Sequence, residues 1–200
     1  MSQIKFVYFD IGDVVFEWKQ ALRKIAAMAN KSYEEVLSVF NKYDNDACRG
    51  KITGQELWEH FKEELEISSE IDNFIEWWAN SFSPIPATHH LAKEIYRKYK
   101  VGILTNIFPG AMPYYVINGL IPDISYDAIV KSCDIGFVKP EAEIFKYAQK
   151  MAGVLAQEIL LIDNSLKNID KAKELGWQVA WYDVKNPQES ISEIRRMLDL

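Results

Sequence analysis

The chain has 200 residues with 29 acidic and 23 basic side chains, which gives a formal net charge of −6. This charge argues against a nucleic-acid partner and against an anionic-membrane partner, because both need an excess of basic residues. Its hydrophobic content of 48% is typical of one globular domain with room for a smaller inserted one, and it contains no apolar run as long as a membrane span. Cys48 and Cys133 are isolated in the sequence, which predicts neither a disulfide framework nor a cysteine metal site and favours a reduced, cytoplasmic protein.

The first predicted element is a buried strand over residues 4–9, where mostly apolar and aromatic side chains run directly into Asp10. Such a run is typical of a parallel strand that is covered on both faces. Asp10 then lies at the carboxyl end of the strand, where open α/β sheets bind their ligands. Taken alone, the stretch fits equally well an Asp10 that only caps the strand end.

The next segment, residues 17–82, shows apolar residues at helical spacing and no convincing strand. One helix is predicted over residues 22–29, a second after Ser32, a third at the capping box of Thr53 and Glu56, and a fourth from Ser69. Its tryptophans, Trp58 among them, are more typical of core packing than of a binding surface. A helical bundle inserted after the first strand predicts a cap.

Beyond residue 84, strands alternate with helices. Further buried strands are predicted over residues 101–104, 128–130, 159–162 and 179–181. Helices are predicted over residues 87–99 and 110–118, from Pro140 through Met151, up to Leu175, and over residues 191–198. Crossovers of this length predict an α/β fold with a doubly wound parallel sheet. The predicted core domain comprises residues 1–16 and 83–200, and the predicted cap domain comprises residues 17–82.

Polar side chains stand at the ends of three of these strands. Asp10, Thr105 and Asp163 each follow or end a buried strand, and the loop that carries Lys139 reaches the same edge of the sheet. Because capping alone does not require reactive side chains to converge on one crevice, their grouping favours a functional role for Asp10.

This set of side chains suits phosphoryl transfer. A carboxylate such as Asp10 can attack phosphorus and form an aspartyl-phosphate intermediate, and the reaction otherwise needs positioning and charge neutralisation. The Thr105 hydroxyl and the backbone N–H groups near Asn106 are candidate donors to the phosphate oxygens. Lys139 is the candidate cation that neutralises both Asp10 and the transferred group.

The same edge also offers oxygen ligands for a metal ion. Asp163 and Asn164 are candidates either to orient Lys139 or to hold a metal, and the Gly12 carbonyl is a candidate ligand beside Asp10. Since Mg²⁺ prefers carboxylate and carbonyl oxygens together with water, we expect Mg²⁺ as the cofactor.

Four motifs in this order resemble those of the haloacid dehalogenase-like hydrolase superfamily, and the resemblance covers nearly the whole chain. The motifs lie at residues 9–15, 104–106 and 138–141, and at residues 161–165 together with Asn168. The resemblance implies a Rossmann-like core, a helical cap that closes over the site, Asp10 as the nucleophile and usually Mg²⁺. Residues 49–53 also look like the cap of the subgroup that includes sugar-phosphate phosphatases and the N-terminal domain of bifunctional epoxide hydrolases, which makes Arg49 a candidate substrate-binding residue.

Two positions depart from the pattern of the family. Most of its phosphatases carry an Asp two residues after the nucleophile as general acid and base, and Gly12 stands there in this chain. The metal-binding Asp of the fourth motif aligns with Asn164, which offers an oxygen without a charge. The sequence therefore predicts a hydrolase of small phosphorylated metabolites that acts through Asp10. Two alternatives stay open: a metal-free 2-haloacid dehalogenase, and a non-catalytic binding protein that kept the fold.

Overall fold

The computed structural model describes residues 3–200, and a five-stranded parallel sheet lies at its centre. In spatial order the strands are β5 (Ala128–Lys131), β4 (Lys100–Thr105), β1 (Phe6–Phe9), β6 (Ile159–Asp163) and β7 (Gln178–Trp181). Two short strands, β2 (Phe16–Glu17) and β3 (Ser83–Pro84), form a separate antiparallel pair. The parallel order confirms the predicted doubly wound sheet; residues 1 and 2 of the predicted core domain lie outside the described residues.

Ten α-helices occur in residues 3–200. Between β2 and β3 lie α1 (Gln20–Ala29), α2 (Tyr33–Cys48), α3 (Gly54–Leu65) and α4 (Phe74–Ala79). The remaining helices are α5 (Pro86–Tyr96), α6 (Ala111–Ile117), α7 (Ser132–Ile135), α8 (Ala142–Ala152), α9 (Leu166–Glu174) and α10 (Pro187–Met197), and a 3₁₀ turn spans Ala156–Glu158. We call the segment that carries α1–α4 the helical insertion.

The sheet is covered on both faces because side chains alternate along its strands. On β1, Val7 and Phe9 face one buried cluster while Phe6 and Tyr8 face the other. Gly102 on β4 permits this packing, since a Cβ there would lie 2.6 Å from the Tyr8 ring. The first cluster continues from the sheet into the helical insertion, where it includes Trp58. The insertion and the sheet therefore share one core.

The helical insertion forms as its capping residues predict. Ser32 and Thr53 each close a capping box, with Glu35 and Glu56 as the reciprocal partners. The prediction for the fourth helix was wrong about its start, because Asn73 accepts a hydrogen bond from the Glu76 backbone N–H at 3.2 Å and α4 begins only after it.

Other boundaries also differ from the sequence-based prediction. Pro140 lies outside α8, which begins after the extended residue Glu141. The last helix begins at Pro187, where a proline fits the first turn, rather than at residue 191. The short elements β2, β3 and α7 were not predicted. None of the helices in residues 3–200 is long and apolar enough to cross a bilayer.

Candidate active site

The three central strands bring the predicted strand-end residues together. Strand β1 pairs with β4 on one side and β6 on the other, so Asp10 stands between the strand ends that carry Thr105 and Asp163. The Asp10 backbone N–H donates to the Ile162 carbonyl at 2.9 Å, which continues the β1–β6 ladder by one residue. This pairing fixes the position of Asp10 at the sheet edge.

Lys139 lies between two carboxylates. Its Nζ is 2.9 Å from Asp10 Oδ1 and 2.6 Å from Asp163 Oδ2, and its side chain is only 1% exposed. Burial lowers the pKa of Lys139, but the two carboxylates outweigh it and the pKa is raised above its usual value. Burial raises the pKa of Asp10 to about 6, although the Lys139 ammonium lowers it. The ammonium therefore keeps its charge beside a carboxylate that burial makes easier to protonate.

Asp163 has both oxygens occupied by protein donors. Besides Lys139, it accepts hydrogen bonds from Asn168 Nδ2 at 3.1 Å and 3.0 Å, and from the Ser165 backbone N–H at 2.8 Å. Of the two roles predicted for Asp163, orienting Lys139 or binding a metal, this geometry favours the first.

Asn106 holds the loop that carries Lys139. Its side chain accepts from the Lys139 backbone N–H at 2.8 Å and donates to the Lys139 carbonyl at 3.1 Å. Thr105 is buried, and its hydroxyl donates to the Asn106 carbonyl at 3.2 Å. Asn106 contributes to the wall of the cavity described below, whereas Thr105 does not. The geometry thus adds a positioning contact that the sequence did not predict.

Arg49 lies away from the cavity wall and joins the helical insertion to the core. Its guanidinium donates to Glu141 Oε1 at 2.6 Å and to the Gly136 carbonyl at 3.0 Å. The Ser132 hydroxyl makes a second connection nearby, since it donates to the Cys48 carbonyl at 2.6 Å. A direct contact of Arg49 with substrate stays a prediction.

A cavity of about 520 Å³ opens above Asp10. At one end its wall carries the predicted site residues Asp10, Gly12, Asn106, Lys139 and Asn164. Aromatic side chains cover much of the remaining wall: Phe16, Trp18, Phe40, Trp78, Phe82, Phe108 and Tyr115. A Cβ on Gly12 would lie 3.4 Å from the Trp18 indole. This wall could not be predicted from the sequence, because aromatic residues at helical spacing show the same pattern whether they line a cavity or fill a core.

Asp44 of α2 also lines the cavity and was missed. The signal was in the sequence: Asp44 interrupts a stripe at four-residue spacing whose other members, Val36, Phe40 and Cys48, are buried. A carboxylate on the buried face of a helix is uncommon unless it is paired or functional.

The donor set at the Asp10 end fits a magnesium ion. Asp10 supplies a carboxylate, Gly12 a main-chain carbonyl and Asn164 an amide oxygen, and all three residues line the cavity. These are ligands that Mg²⁺ accepts together with water. Residues 3–200 contain no cluster of three or more His, Cys, Asp and Glu side chains suited to a metal, so such a site relies largely on uncharged oxygens.

The amino-acid sequence of the chain is similar to those of known proteins. A model of haloacid dehalogenase-like hydrolases matches residues 4–176. Glyceraldehyde 3-phosphate phosphatase of Methanocaldococcus jannaschii is 27% identical over 191 residues, which cover 86% of this chain and 82% of that protein.

Solved structures share the fold. A haloacid dehalogenase family enzyme from Bacteroides thetaiotaomicron, in complex with magnesium and inorganic phosphate, superposes with a TM-score of 0.75 at 20% identity over 90% of this chain and 95% of that one. L-2-haloacid dehalogenase from Xanthobacter autotrophicus, with chloropropionic acid covalently bound, superposes with a TM-score of 0.68 at 20% identity. The superposition covers 90% of this chain and 77% of that one. At these identities the likeness concerns the fold alone.

Proposed function

The chain belongs to the haloacid dehalogenase-like hydrolase family, and from this premise we propose that it hydrolyses small phosphate monoesters through a phosphorylated Asp10. The observation that carries the proposal is the buried Lys139 ammonium, held between Asp10 and Asp163 at the floor of the cavity. The similarity to the phosphatase from Methanocaldococcus jannaschii, which covers 86% of this chain, supports the choice of phosphate esters over other substrates.

In this proposal Asp10 attacks the phosphorus of the bound ester. The Lys139 ammonium lies 2.9 Å from the attacking carboxylate and neutralises charge on both Asp10 and the phosphoryl oxygens. Asp163 orients the ammonium, and Asn106 holds the backbone of its loop. Pre-formed positioning of this kind contributes to the rate because no reorganisation is needed during the reaction.

Asp10, Gly12 and Asn164 would hold Mg²⁺. When bound there, the ion supplies positive charge that stabilises the transferring phosphoryl group. Because Asn164 is uncharged, we expect weaker magnesium binding than at a site with two free carboxylates.

The test uses 4-nitrophenyl phosphate with Mg²⁺ and compares the natural chain with the Asp10→Asn variant. Asn keeps the size of the side chain but removes the nucleophilic anion, so we expect hydrolysis to fall to background while circular dichroism stays unchanged. The matched control is Asp170→Asn on the exposed face of α9, which should keep full activity.

A parallel assay separates the two rival functions. Chloride release from 2-chloropropionate in the presence of a chelator would indicate a dehalogenase. Turnover of neither substrate by folded natural protein would indicate a binding protein. Turnover of the phosphate ester by a pure Asp10→Asn variant would rule out the covalent mechanism.

A further inference from the structure

Gly12 leaves the reaction without a proton donor at the position where most related phosphatases carry an Asp. The cavity wall contains three aspartates: Asp10, Asp13 and Asp44. Asp10 forms an ion pair with Lys139, and Asp13 Oδ2 forms an ion pair with Lys19 Nζ at 2.5 Å. Within residues 3–200 no Lys, Arg or His forms an ion pair with Asp44, whose carboxyl is therefore not held ionised by a neighbouring cation.

The environment of Asp44 also sets it apart. It is half-buried on the inner stripe of α2, and Phe40, one turn earlier on the same stripe, shares the cavity wall with it. Its contact one turn later is with Cys48, whose Sγ lies 3.5 Å from Asp44 Oδ1. A carboxyl surrounded in this way faces the cavity in a largely apolar setting.

The end of α2 is fixed against the core next to the catalytic loop. The Ser132 hydroxyl accepts from the Ile107 backbone N–H at 3.0 Å and donates to the Cys48 carbonyl at 2.6 Å. Arg49 binds Glu141, two residues beyond Lys139. These contacts direct the last turns of α2 toward the site, so that Asp44 and Asp10 face the same 520 Å³ space.

We propose that Asp44 is the proton donor to the leaving group, a catalytic residue supplied by the helical insertion in place of a side chain at position 12. The inference rests on the phosphatase function proposed above. Burial raises the pKa of Asp44, while the Cys48 contact lowers it less. A raised pKa keeps more of the carboxyl protonated near neutral pH, as a general acid requires.

Asp44 gives up one proton in the first half-reaction and regains one in the second. Asp10 Oδ forms a bond to phosphorus as the bond between phosphorus and the ester oxygen breaks, and the departing oxygen takes the proton of the Asp44 carboxyl. In the second half-reaction a water molecule gives a proton to the Asp44 carboxylate and its oxygen attacks phosphorus. Asp10 leaves as a carboxylate, and phosphate and protonated Asp44 are regenerated.

The test compares two leaving groups of similar shape in the Asp44→Asn variant. Phenolate is a poor leaving group that needs a proton, whereas 4-nitrophenolate leaves without one. We expect kcat/KM for phenyl phosphate to fall by about 10²–10⁴-fold and kcat/KM for 4-nitrophenyl phosphate to fall far less. The parameter kcat/KM is chosen because it reports the steps up to departure of the alcohol and not the later attack by water. The control on the same helix is Asp46→Asn, which removes a surface ion pair with Lys51 and should change neither value.

A pH profile of the natural chain gives a second measurement that needs no variant. The titratable groups on the cavity wall besides Asp44 are Asp10, Asp13, Lys19, Cys48, Tyr115, Lys139 and Lys167. Ionisation of those groups changes kcat/KM for both substrates alike and therefore cancels in the ratio. The ratio of the two kcat/KM values thus reports only the transfer of a proton to the leaving group. The ratio of phenyl to 4-nitrophenyl phosphate should fall as pH rises and Asp44 loses its proton, and it should be flat in Asp44→Asn.

An equal loss of kcat/KM for both esters in Asp44→Asn would overturn the role of Asp44 and leave the phosphatase function intact. So would a ratio of the two kcat/KM values that does not change with pH in the natural chain. If the natural chain hydrolyses neither ester, the proposed function fails and the inference fails with it. Asp44→Asn with normal turnover of 4-nitrophenyl phosphate shows that the variant is folded, so that a selective loss is not a folding defect.

Discussion

At the scale of single residues, the site depends on one cation shared by two carboxylates. Lys139 contacts Asp10 and Asp163, and its ammonium is almost fully withdrawn from water. Removal of one member of such a buried group leaves the others uncompensated, which costs more than the loss of an exposed ion pair. Asp163 therefore supports the site although its own oxygens are occupied by protein donors.

The pKa of Asp10 provides a direct test of this arrangement. In the metal-free protein we expect a ¹³C NMR titration of the Asp10 carboxyl to give a midpoint of about 6. In Lys139→Met the midpoint should rise by about one to three units, since the ammonium that favours the carboxylate is lost. Under the proposed mechanism, Asp10 of the variant would be ionised and able to attack phosphorus only at higher pH.

The comparison variant for this titration is Lys171→Met, which removes an ion pair with Glu174 on the surface of α9. It should leave the Asp10 midpoint unchanged. An unaltered midpoint in folded Lys139→Met would mean that Lys139 does not set the ionisation of Asp10.

At the scale of elements, two short segments connect the helical insertion to the sheet. Strands β2 and β3 pair Phe16 with Pro84 and Glu17 with Ser83, and the Ile85 backbone N–H donates to the Val15 carbonyl at 2.8 Å. We propose that this pair is the hinge of a cap formed by residues 17–82, because two adjacent connections permit rotation with few changes in backbone angles.

Hydrogen exchange with inorganic phosphate and Mg²⁺ as the probe tests the hinge. We expect saturating phosphate with Mg²⁺ to slow exchange at residues 15–19 and 81–86, since closure orders both connections together. Strands β1 and β6 should show no change and serve as the internal reference. Identical protection at both connections with and without the probe would contradict the hinge.

Most elements of the sheet could be predicted from the sequence, whereas several contacts in the site could not. The strand that ends in Asp163 consists of consecutive apolar residues, a pattern that is local and strong. Strand β2 has two residues and exists because β3, more than sixty residues later, lies beside it. The Asn106 contact with Lys139 spans 33 residues. Contacts of this kind depend on tertiary placement, which no local pattern contains.

At the scale of the whole molecule, the helical insertion is held on the core by a shared hydrophobic cluster and a few polar contacts. The Arg49–Glu141 pair is partly exposed, with 19% and 34% of the two side chains accessible. This ion pair matters more for its position than for its strength. It crosses from the helical insertion to the core and joins the end of α2 to the loop that carries Lys139.

A double-mutant cycle with Arg49→Met and Glu141→Gln measures this connection. We expect a coupling energy of about 0.2–1 kcal/mol in urea unfolding, as for other partly exposed pairs, together with a higher KM for 4-nitrophenyl phosphate because the closed form is less populated. Lys62→Met provides the comparison, since its ion pairs with Glu59 and Glu70 lie within the insertion. A higher KM in Lys62→Met as well would show that general loosening, rather than the boundary contact, is responsible.

The proximity of Gly12 and Trp18 links two neighbouring positions on the cavity wall. A Cβ at position 12 would lie 3.4 Å from the indole, which is an ordinary van der Waals contact, so the carboxylate of an Asp there would share its space with the ring. Replacement of Trp18 by a smaller residue would widen that space, but it would also remove part of the aromatic wall of the cavity. We therefore expect substitutions at positions 12 and 18 to be coupled, so that the size of the side chain at position 18 sets the orientations open to an acid introduced at position 12.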